Sequence, residues 1–133
     1  MQPERTIYVV DDDADVRQSL KLMLQVSGFR VEVFDSGRRF LDAVGRLDPG
    51  SVLLDLRMTG MDGIQVLAEL AGREPGWPVM VMTGHGEPEV GEEAIAAGAA
   101  AFIEKPFDEA LLFRCIDEGW SRMRAGAESP SGS

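Results

Sequence analysis

An α/β fold, with a parallel sheet covered by helices on both faces, is predicted for this chain of 133 residues. Two observations predict it. Apolar runs rich in β-branched residues alternate five times with segments of helical period. All but the second of these runs lack polar alternation, so we expect those four strands to be buried on both faces. The hydrophobic fraction of 44% suits one domain with a sizeable core.

The first two strand–helix units occupy the first third of the chain. "TIYVV" (6–10) predicts a strand, and the following segment (14–28) predicts a helix that stops at Gly28. "RVEVF" (30–34) alternates like a strand with one exposed face. The next helix is predicted over 36–47, where apolar residues recur at helical spacing.

The third unit begins with the short apolar strand "SVLLD" (51–55). A helix over 61–72 has Asp62 as a candidate N-cap, with Gln65 three residues later. "WPVMVMT" (77–83) then predicts the fourth strand.

The last third contains a weaker helix over 88–99, a strand over 100–104 and a long helix over 107–124. We expect one folded domain over residues 1–124. The remaining residues 125–133, "AGAESPSGS", predict a disordered tail or the start of a linker.

Charge and composition exclude several classes of function. The net charge of −10 repels phosphate backbones and anionic lipids, so direct binding of nucleic acid or membrane by this chain is not expected. The single cysteine, Cys115, excludes an intramolecular disulfide. No apolar run approaches a membrane span and no signal peptide opens the chain, so a cytoplasmic location is expected.

Polar side chains follow the carboxyl ends of four predicted strands. In an open α/β sheet these ends share one edge, which is where ligands bind. The edge would therefore collect three carboxylates, one hydroxyl and one ammonium, from Asp11, Asp12, Asp55, Thr83 and Lys105.

Three close carboxylates raise one another's pKa, and a hard dication relieves the repulsion. Mg²⁺ is therefore the expected cofactor, whereas Asp13 is expected to be solvated at the start of the first helix. A calcium-binding EF-hand loop is excluded, because it requires glycine at its sixth position and glutamate at its twelfth. This chain has Val16 and Leu22 there. A solvated acidic turn is the alternative interpretation of the aspartate run by itself.

The motifs "VVDDD", "VLLDLRMTGMDG", "VMTGHG" and "AFIEKPF" resemble the receiver domain of two-component response regulators, most closely the FixJ/NarL-like branch. The resemblance covers residue 5 to about residue 124. It implies a flavodoxin-like (βα)5 fold with strand order 2-1-3-4-5. It also implies a sensor histidine kinase as partner, and control of an output such as transcription through a domain outside this chain or through a partner protein.

The resemblance also implies roles for individual residues. Asp55 would be the phospho-acceptor. Mg²⁺ would be held by Asp11, Asp12, Asp55 and the backbone carbonyl of Arg57. Lys105 and Thr83 would contact the phosphoryl oxygens.

Three further expectations follow from the same likeness. On phosphorylation Thr83 would move inward and Phe102 would fill the space, although Phe102 is equally well explained as a packing residue. Lys105–Pro106 is a candidate cis peptide bond. Arg57 and His85 would tune the lifetime of the phospho-aspartate, although His85 is also typical of a solvated loop.

The chain departs from related receivers at several positions. Thr59 replaces a usual proline, so the loop after the third strand is expected to be less rigid. Gly91 and Glu92 lie where related receivers tend to be small or apolar, and glycine weakens a helix, so a mobile or shortened helix 4 is predicted. This puts in doubt the homodimer through helix 4, strand 5 and helix 5, to which Phe113 could still contribute if it is not an edge-of-core residue.

Two enzymatic or carrier functions compete with the signalling function. An aspartate-nucleophile phosphatase of the haloacid dehalogenase type needs a second acid two residues after the nucleophile, where this chain has Arg57. A flavin-binding electron carrier needs a phosphate loop where this chain has "DDDAD". We therefore expect no enzymatic activity beyond self-phosphorylation and autodephosphorylation.

Overall fold

The computed structural model describes residues 5–57, 63–71, 77–84, 88–105 and 108–128. Some positions with sequence predictions lie outside these residues: Thr59, Asp62, His85 and Pro106, and with Pro106 the predicted cis bond. The fold can be followed through all ten predicted strands and helices.

Five parallel strands form one sheet in the order β2-β1-β3-β4-β5, which confirms the predicted topology. The strands are β1 (Thr6–Val10), β2 (Arg30–Phe34), β3 (Ser51–Asp55), β4 (Val79–Thr83) and β5 (Ala101–Glu104). The helices are α1 (Ala14–Val26), α2 (Gly37–Ala43, continued by a 3-10 turn over Val44–Arg46), α3 (Gly63–Ala71), α4 (Pro88–Ala96) and α5 (Glu109–Glu128).

Two apolar layers cover the sheet. Side chains alternate between the faces of each strand, so Val10 and Leu54 meet α2, α3 and α4, whereas Val9 and Leu53 meet α1 and α5. Every residue of β1, β3 and β4 is buried, as predicted. The same prediction is wrong for β5, whose residues are half-buried except Ile103, because β5 is an edge strand.

Glycines in the left-handed region end two of the helices. Gly28 has φ 99° and closes α1, as predicted. Gly98 has φ 117° and ends α4 three residues before the predicted end, with the N–H of Ala99 bonded to the carbonyl of Ala94 at 3.0 Å. Both positions suit glycine, which carries no Cβ to resist a positive φ.

The last helix runs further than the sequence indicated. It continues to Glu128, four residues past the predicted end at Arg124, and so enters the segment predicted to be a tail. Alanine and glutamate are strong helix formers, and they offset Gly126 in this extension. Among the described helices, none combines the length and the apolar character needed to cross a membrane.

Phe113 on α5 packs within the chain. Its ring is stacked on Phe29 with the centroids 6.3 Å apart, and the guanidinium of Arg5 lies 4.9 Å from the centre of the Phe29 ring. Arg5 also forms a salt bridge of 2.6 Å with Asp117. An edge-of-core position therefore describes Phe113.

Candidate functional site

The site lies where β1, β3, β4 and β5 end. Backbone hydrogen bonds continue past the strand ends and fix the segments that follow. The N–H of Asp11 donates to the carbonyl of Phe34 at 3.2 Å, and the N–H of Lys105 donates to the carbonyl of Thr83 at 2.8 Å. Because all strands are parallel, these ends meet at one edge of the sheet.

Three carboxylates converge at this edge. One oxygen from each of Asp11, Asp12 and Asp55 lies within 4.8 Å of the other two. Asp11 and Asp55 are buried, and Asp12 is exposed. The cluster therefore has a buried base and a side that is open to solvent.

Asp11 is held by contacts on both its side chain and its backbone. Its Oδ1 accepts a hydrogen bond of 2.9 Å from the N–H of Asp13. The side chain of Asp13 in turn caps α1, accepting from the N–H groups of Asp15 at 2.9 Å and Val16 at 3.3 Å. Asp13 is exposed, as predicted, and the cap ties the start of α1 to the aspartate run.

Arg17 adds a further anchor, which sequence reasoning missed. Its Nη1 donates to the backbone carbonyl of Asp11 at 2.8 Å. The signal available in the sequence was a single cation one turn after the Asp13 cap. Helical spacing alone does not show that its side chain turns back toward the strand end.

Lys105 places its ammonium beside the carboxylates. Its Nζ lies 3.4 Å from Oδ2 of Asp11 and 3.8 Å from Oδ2 of Asp55, and its side chain is 30% exposed. The ammonium therefore bridges two of the three acids, and it remains reachable from solvent.

The Asp55 carboxyl has an unusual affinity for protons. Burial raises its pKa from the ordinary value of 3.8 to about 6. The N–H of Arg57 donates to Oδ1 at 3.0 Å and opposes this rise, the Asp11 carboxylate adds to the rise, and the Lys105 ammonium opposes it. Bringing a cation to the cluster would therefore relieve a real cost of ionisation.

Thr83 and Phe102 lie on the same face of neighbouring strands. Thr83 is 2% exposed, and its Oγ1 has no hydrogen-bond partner among the described residues. Thr83 is paired with Glu104 and Val81 with Phe102, so the Thr83 and Phe102 side chains are diagonal neighbours. The hydroxyl is thus a buried donor that an incoming acceptor could satisfy.

The donor set fits Mg²⁺. Carboxylate oxygens are its preferred protein ligands, and one exposed side leaves room for the waters and the phosphate oxygen that it usually retains. The buried Asp55 carboxyl is costly to ionise without a cation, and two further carboxylates lie beside it.

Residues 7–117 match the family described as the response regulator receiver domain. The chain belongs to this family. Its receiver fold and acidic edge agree with the resemblance seen in the sequence.

Curated relatives of this receiver include two transcriptional regulatory proteins named FixJ. The protein from Bradyrhizobium diazoefficiens is 41% identical over 123 residues, which cover 92% of this chain and 60% of that protein. The protein from Azorhizobium caulinodans is 44% identical over 110 residues, which cover 83% of this chain and 52% of that protein. The receiver thus spans a little over half the length of these relatives.

Solved structures give the same assignment. Full-length FixJ from B. japonicum matches with a TM-score of 0.88 and 39% identity, covering 96% of this chain and 63% of that one. The structure named FixJ-N matches with a TM-score of 0.85 and 37% identity, covering 91% of this chain and 96% of that one. The receiver is therefore FixJ-like in both sequence and fold.

The described residues bring together most of the predicted site. The side chains of Asp11, Asp12, Asp55 and Lys105 meet at one edge, and Thr83 lies at the end of the adjoining strand. Arg57 is exposed, with its N–H directed to Asp55. The predicted metal contact of the Arg57 carbonyl and the predicted roles of His85 and Pro106 stay predictions.

Proposed function

We propose that this receiver accepts a phosphoryl group on Asp55 from a sensor histidine kinase and changes conformation in response. The proposal depends chiefly on one observation. The Asp55 carboxylate shares a single edge of the sheet with two further acids and with the Lys105 ammonium. A nucleophile, a set of cation ligands and a fixed positive charge are the parts that phosphoryl transfer requires.

In the proposed step an Oδ atom of Asp55 attacks the phosphorus of a phosphohistidine. The new O–P bond forms as the P–N bond breaks, and the released imidazole nitrogen keeps its electron pair and takes up a proton. Lys105 stabilises the negative charge on the phosphoryl oxygens. Its distances of 3.4 Å and 3.8 Å to the two acids support this position.

Asp11, Asp12 and Asp55 would hold Mg²⁺, together with the backbone carbonyl of Arg57. When bound, Mg²⁺ supplies charge neutralisation between the carboxylates and the phosphoryl oxygens. Asp11 contributes an oxygen of a buried carboxylate whose Oδ1 is already held by the N–H of Asp13, whereas Asp12 contributes from the exposed side.

Phosphorylation would then act on Thr83. Its buried hydroxyl would donate to a phosphoryl oxygen, and Phe102 would move into the space on the same face. Arg57 and His85 would set the lifetime of the phospho-aspartate. Cytoplasmic partners of this switch would include the kinase and an output, which for the FixJ relatives is transcriptional regulation by name.

Transfer of label from acetyl phosphate tests the acceptor. With Mg²⁺ present, wild-type protein is expected to incorporate one phosphoryl group, and Asp55→Asn is expected to incorporate none. Chelation of the cation is expected to stop incorporation in the wild type. Label that survives Asp55→Asn would refute the acceptor, and label that is indifferent to chelation would refute the metal.

Replacing Arg17 by methionine is expected to weaken Mg²⁺ binding about 10-fold, the lower end of what loss of an outer-shell contact to metal ligands costs. The reason is the loss of the 2.8 Å hydrogen bond to the Asp11 carbonyl. Removing a cation near three acids should by itself tighten Mg²⁺ binding, so the two explanations predict opposite signs. Titration calorimetry measures the affinity.

Lys21→Met removes the same charge one turn further along α1 and serves as the control. It is expected to leave the affinity unchanged or slightly higher. Tighter binding in Arg17→Met would show that Arg17 acts through its charge and not as an anchor.

A further inference from the structure

Gly91 lies inside α4 and is buried against the Phe102 ring. A glycine at such a position weakens the helix relative to alanine, so its presence calls for a reason. The neighbourhood of the missing side chain supplies one. A Cβ atom built on Gly91 would overlap Cγ and Cδ2 of Phe102 and would lie 2.6 Å from Cε2.

The atoms that would collide decide how the ring can respond. Cγ is the first ring atom, and its position is fixed by the backbone and by the single torsion χ1. A small swing of the far end of the ring does not move it. Any side chain at residue 91 therefore requires Phe102 to change its χ1 rotamer, or requires α4 and β5 to separate.

Phe102 is also placed to respond to the site. It is half-buried on β5, beside Val81 and diagonal to the buried Thr83 hydroxyl. Gly91 thus adjoins the ring of Phe102, and Phe102 is paired with Val81, two residues before Thr83 at the end of β4.

We propose that the space left by the missing side chain of Gly91 is the seat of the Phe102 ring, and that this space permits the resting rotamer of that ring before any phosphorylation. The inference rests on the proposed function in one respect, the use of Thr83 and Phe102 as the switch. Gly91 is then a positioning residue for the switch: filling the seat displaces the ring and shifts the switch equilibrium without a phosphoryl group.

The test uses Gly91→Ala in the unphosphorylated chain with ¹³C-labelled phenylalanine. The chain has six phenylalanines, and the Phe102 signal is assigned by its loss in Phe102→Leu. Gly91→Ala is expected to move the Phe102 signal and to change its χ1 couplings. An unchanged signal with unchanged couplings would overturn the seat.

A matched control is available in Gly119 on α5, a buried helical glycine whose added Cβ would lie 3.0 Å from Cβ of Pro78. Gly119→Ala is expected to leave the Phe102 signal where it is in the wild type. A shift as large as that of Gly91→Ala would mean that helix glycines act on Phe102 non-specifically, and this would also overturn the proposal.

A stability cycle covers the case in which Gly91→Ala folds too poorly for spectra. In a Phe102→Ala background the new methyl group has room, so Gly91→Ala is expected to raise the unfolding midpoint through helix propensity. In the wild-type background it is expected to lower the midpoint. Equal changes in both backgrounds would show that the two residues do not interact, against the proposal.

Labelling of Asp55 from acetyl phosphate, run on the same variants, separates the two hypotheses. If no variant takes label but the Phe102 signal still responds to Gly91→Ala, the proposed function fails and the seat remains. If all variants take label and the Phe102 signal does not change in Gly91→Ala, the proposed role of Gly91 fails and the proposed function remains.

Discussion

At pH 7 and without divalent cations, Asp55→Asn is expected to raise the free energy of unfolding by about 3 kcal/mol, because it removes a buried charge. The size follows from the pKa of Asp55, since one pKa unit corresponds to about 1.4 kcal/mol. Burial raises the pKa of the Asp55 carboxyl from 3.8 to about 6, a shift of roughly two units. The wild type therefore pays for an ionised, buried carboxylate at neutral pH. Asparagine fits the same space without a charge and can still accept from the N–H of Arg57.

The pH dependence has a definite sign. Between the two pKa values the folded protein keeps a proton that the unfolded chain has released, so the wild type loses stability as the pH rises from about 4 to about 6. The gain in the free energy of unfolding from Asp55→Asn is therefore expected to be absent near pH 4 and complete above about pH 6. Urea unfolding in the presence of a chelator, repeated across this range, measures it.

Asp42→Asn is a suitable control because Asp42 is an exposed carboxylate on α2. It is expected to show no comparable gain. An advantage of Asp55→Asn that is equally large at pH 4 and pH 7 would mean that burial of the charge is not its source.

Lys105→Met is expected to slow phosphorylation by acetyl phosphate about 100-fold, the lower end of what loss of one preorganised charge-stabilising donor costs. Methionine preserves the length and apolar stem of lysine but leaves the developing charge on the phosphoryl oxygens without its fixed cation. The Nζ distances of 3.4 Å and 3.8 Å to Asp11 and Asp55 support this role. The rate of label incorporation at saturating Mg²⁺ measures the effect.

The same substitution should not weaken Mg²⁺ binding, since it removes a positive charge from the neighbourhood of the cation. This separates a role in phosphoryl transfer from a role in building the cluster. Lys21, the other lysine of the chain, provides the control through Lys21→Met, for which a normal rate is expected. A normal rate in Lys105→Met, or loss of rate only through lost Mg²⁺ affinity, would contradict the assignment.

The α/β class and the acidic edge could be predicted from local sequence patterns, whereas the strand order came from the resemblance to receiver domains. An apolar run that ends in an aspartate predicts both the end of a strand and the presence of a carboxylate at that end. Parallel alternation then brings Asp11, Asp55 and Lys105 to one edge, without any knowledge of their contacts. The burial of β5 was predicted wrongly because an apolar run does not reveal whether its strand has one neighbour or two.

What the sequence could not supply are contacts between separate elements. Gly91 was interpreted as a weakness of helix 4, and its contact with the Phe102 ring depends on how α4 packs against β5. The hydrogen bond from Arg17 to the Asp11 carbonyl depends on how α1 leaves β1. The helix end at Gly28 was predicted, whereas α4 ends three residues before its predicted end, ahead of Gly98. The added turn after Arg124 reflects residue propensities that outweigh the tail-like composition of residues 125–133.

β3 lies at the centre of the sheet, and its last residue, Asp55, divides the chain into two parts that supply different residues of the site. The carboxylates that would hold the cation all lie within the first 55 residues, and the hydroxyl and ammonium that would contact the phosphoryl group come from β4 and the segment after β5. Asp55 stands at the border between them. In the proposed site, mutations in the amino-terminal half would act chiefly on metal affinity and mutations in the carboxyl-terminal half chiefly on the response to phosphorylation. Lys105 would couple the two properties, because its Nζ lies 3.4 Å from Oδ2 of Asp11.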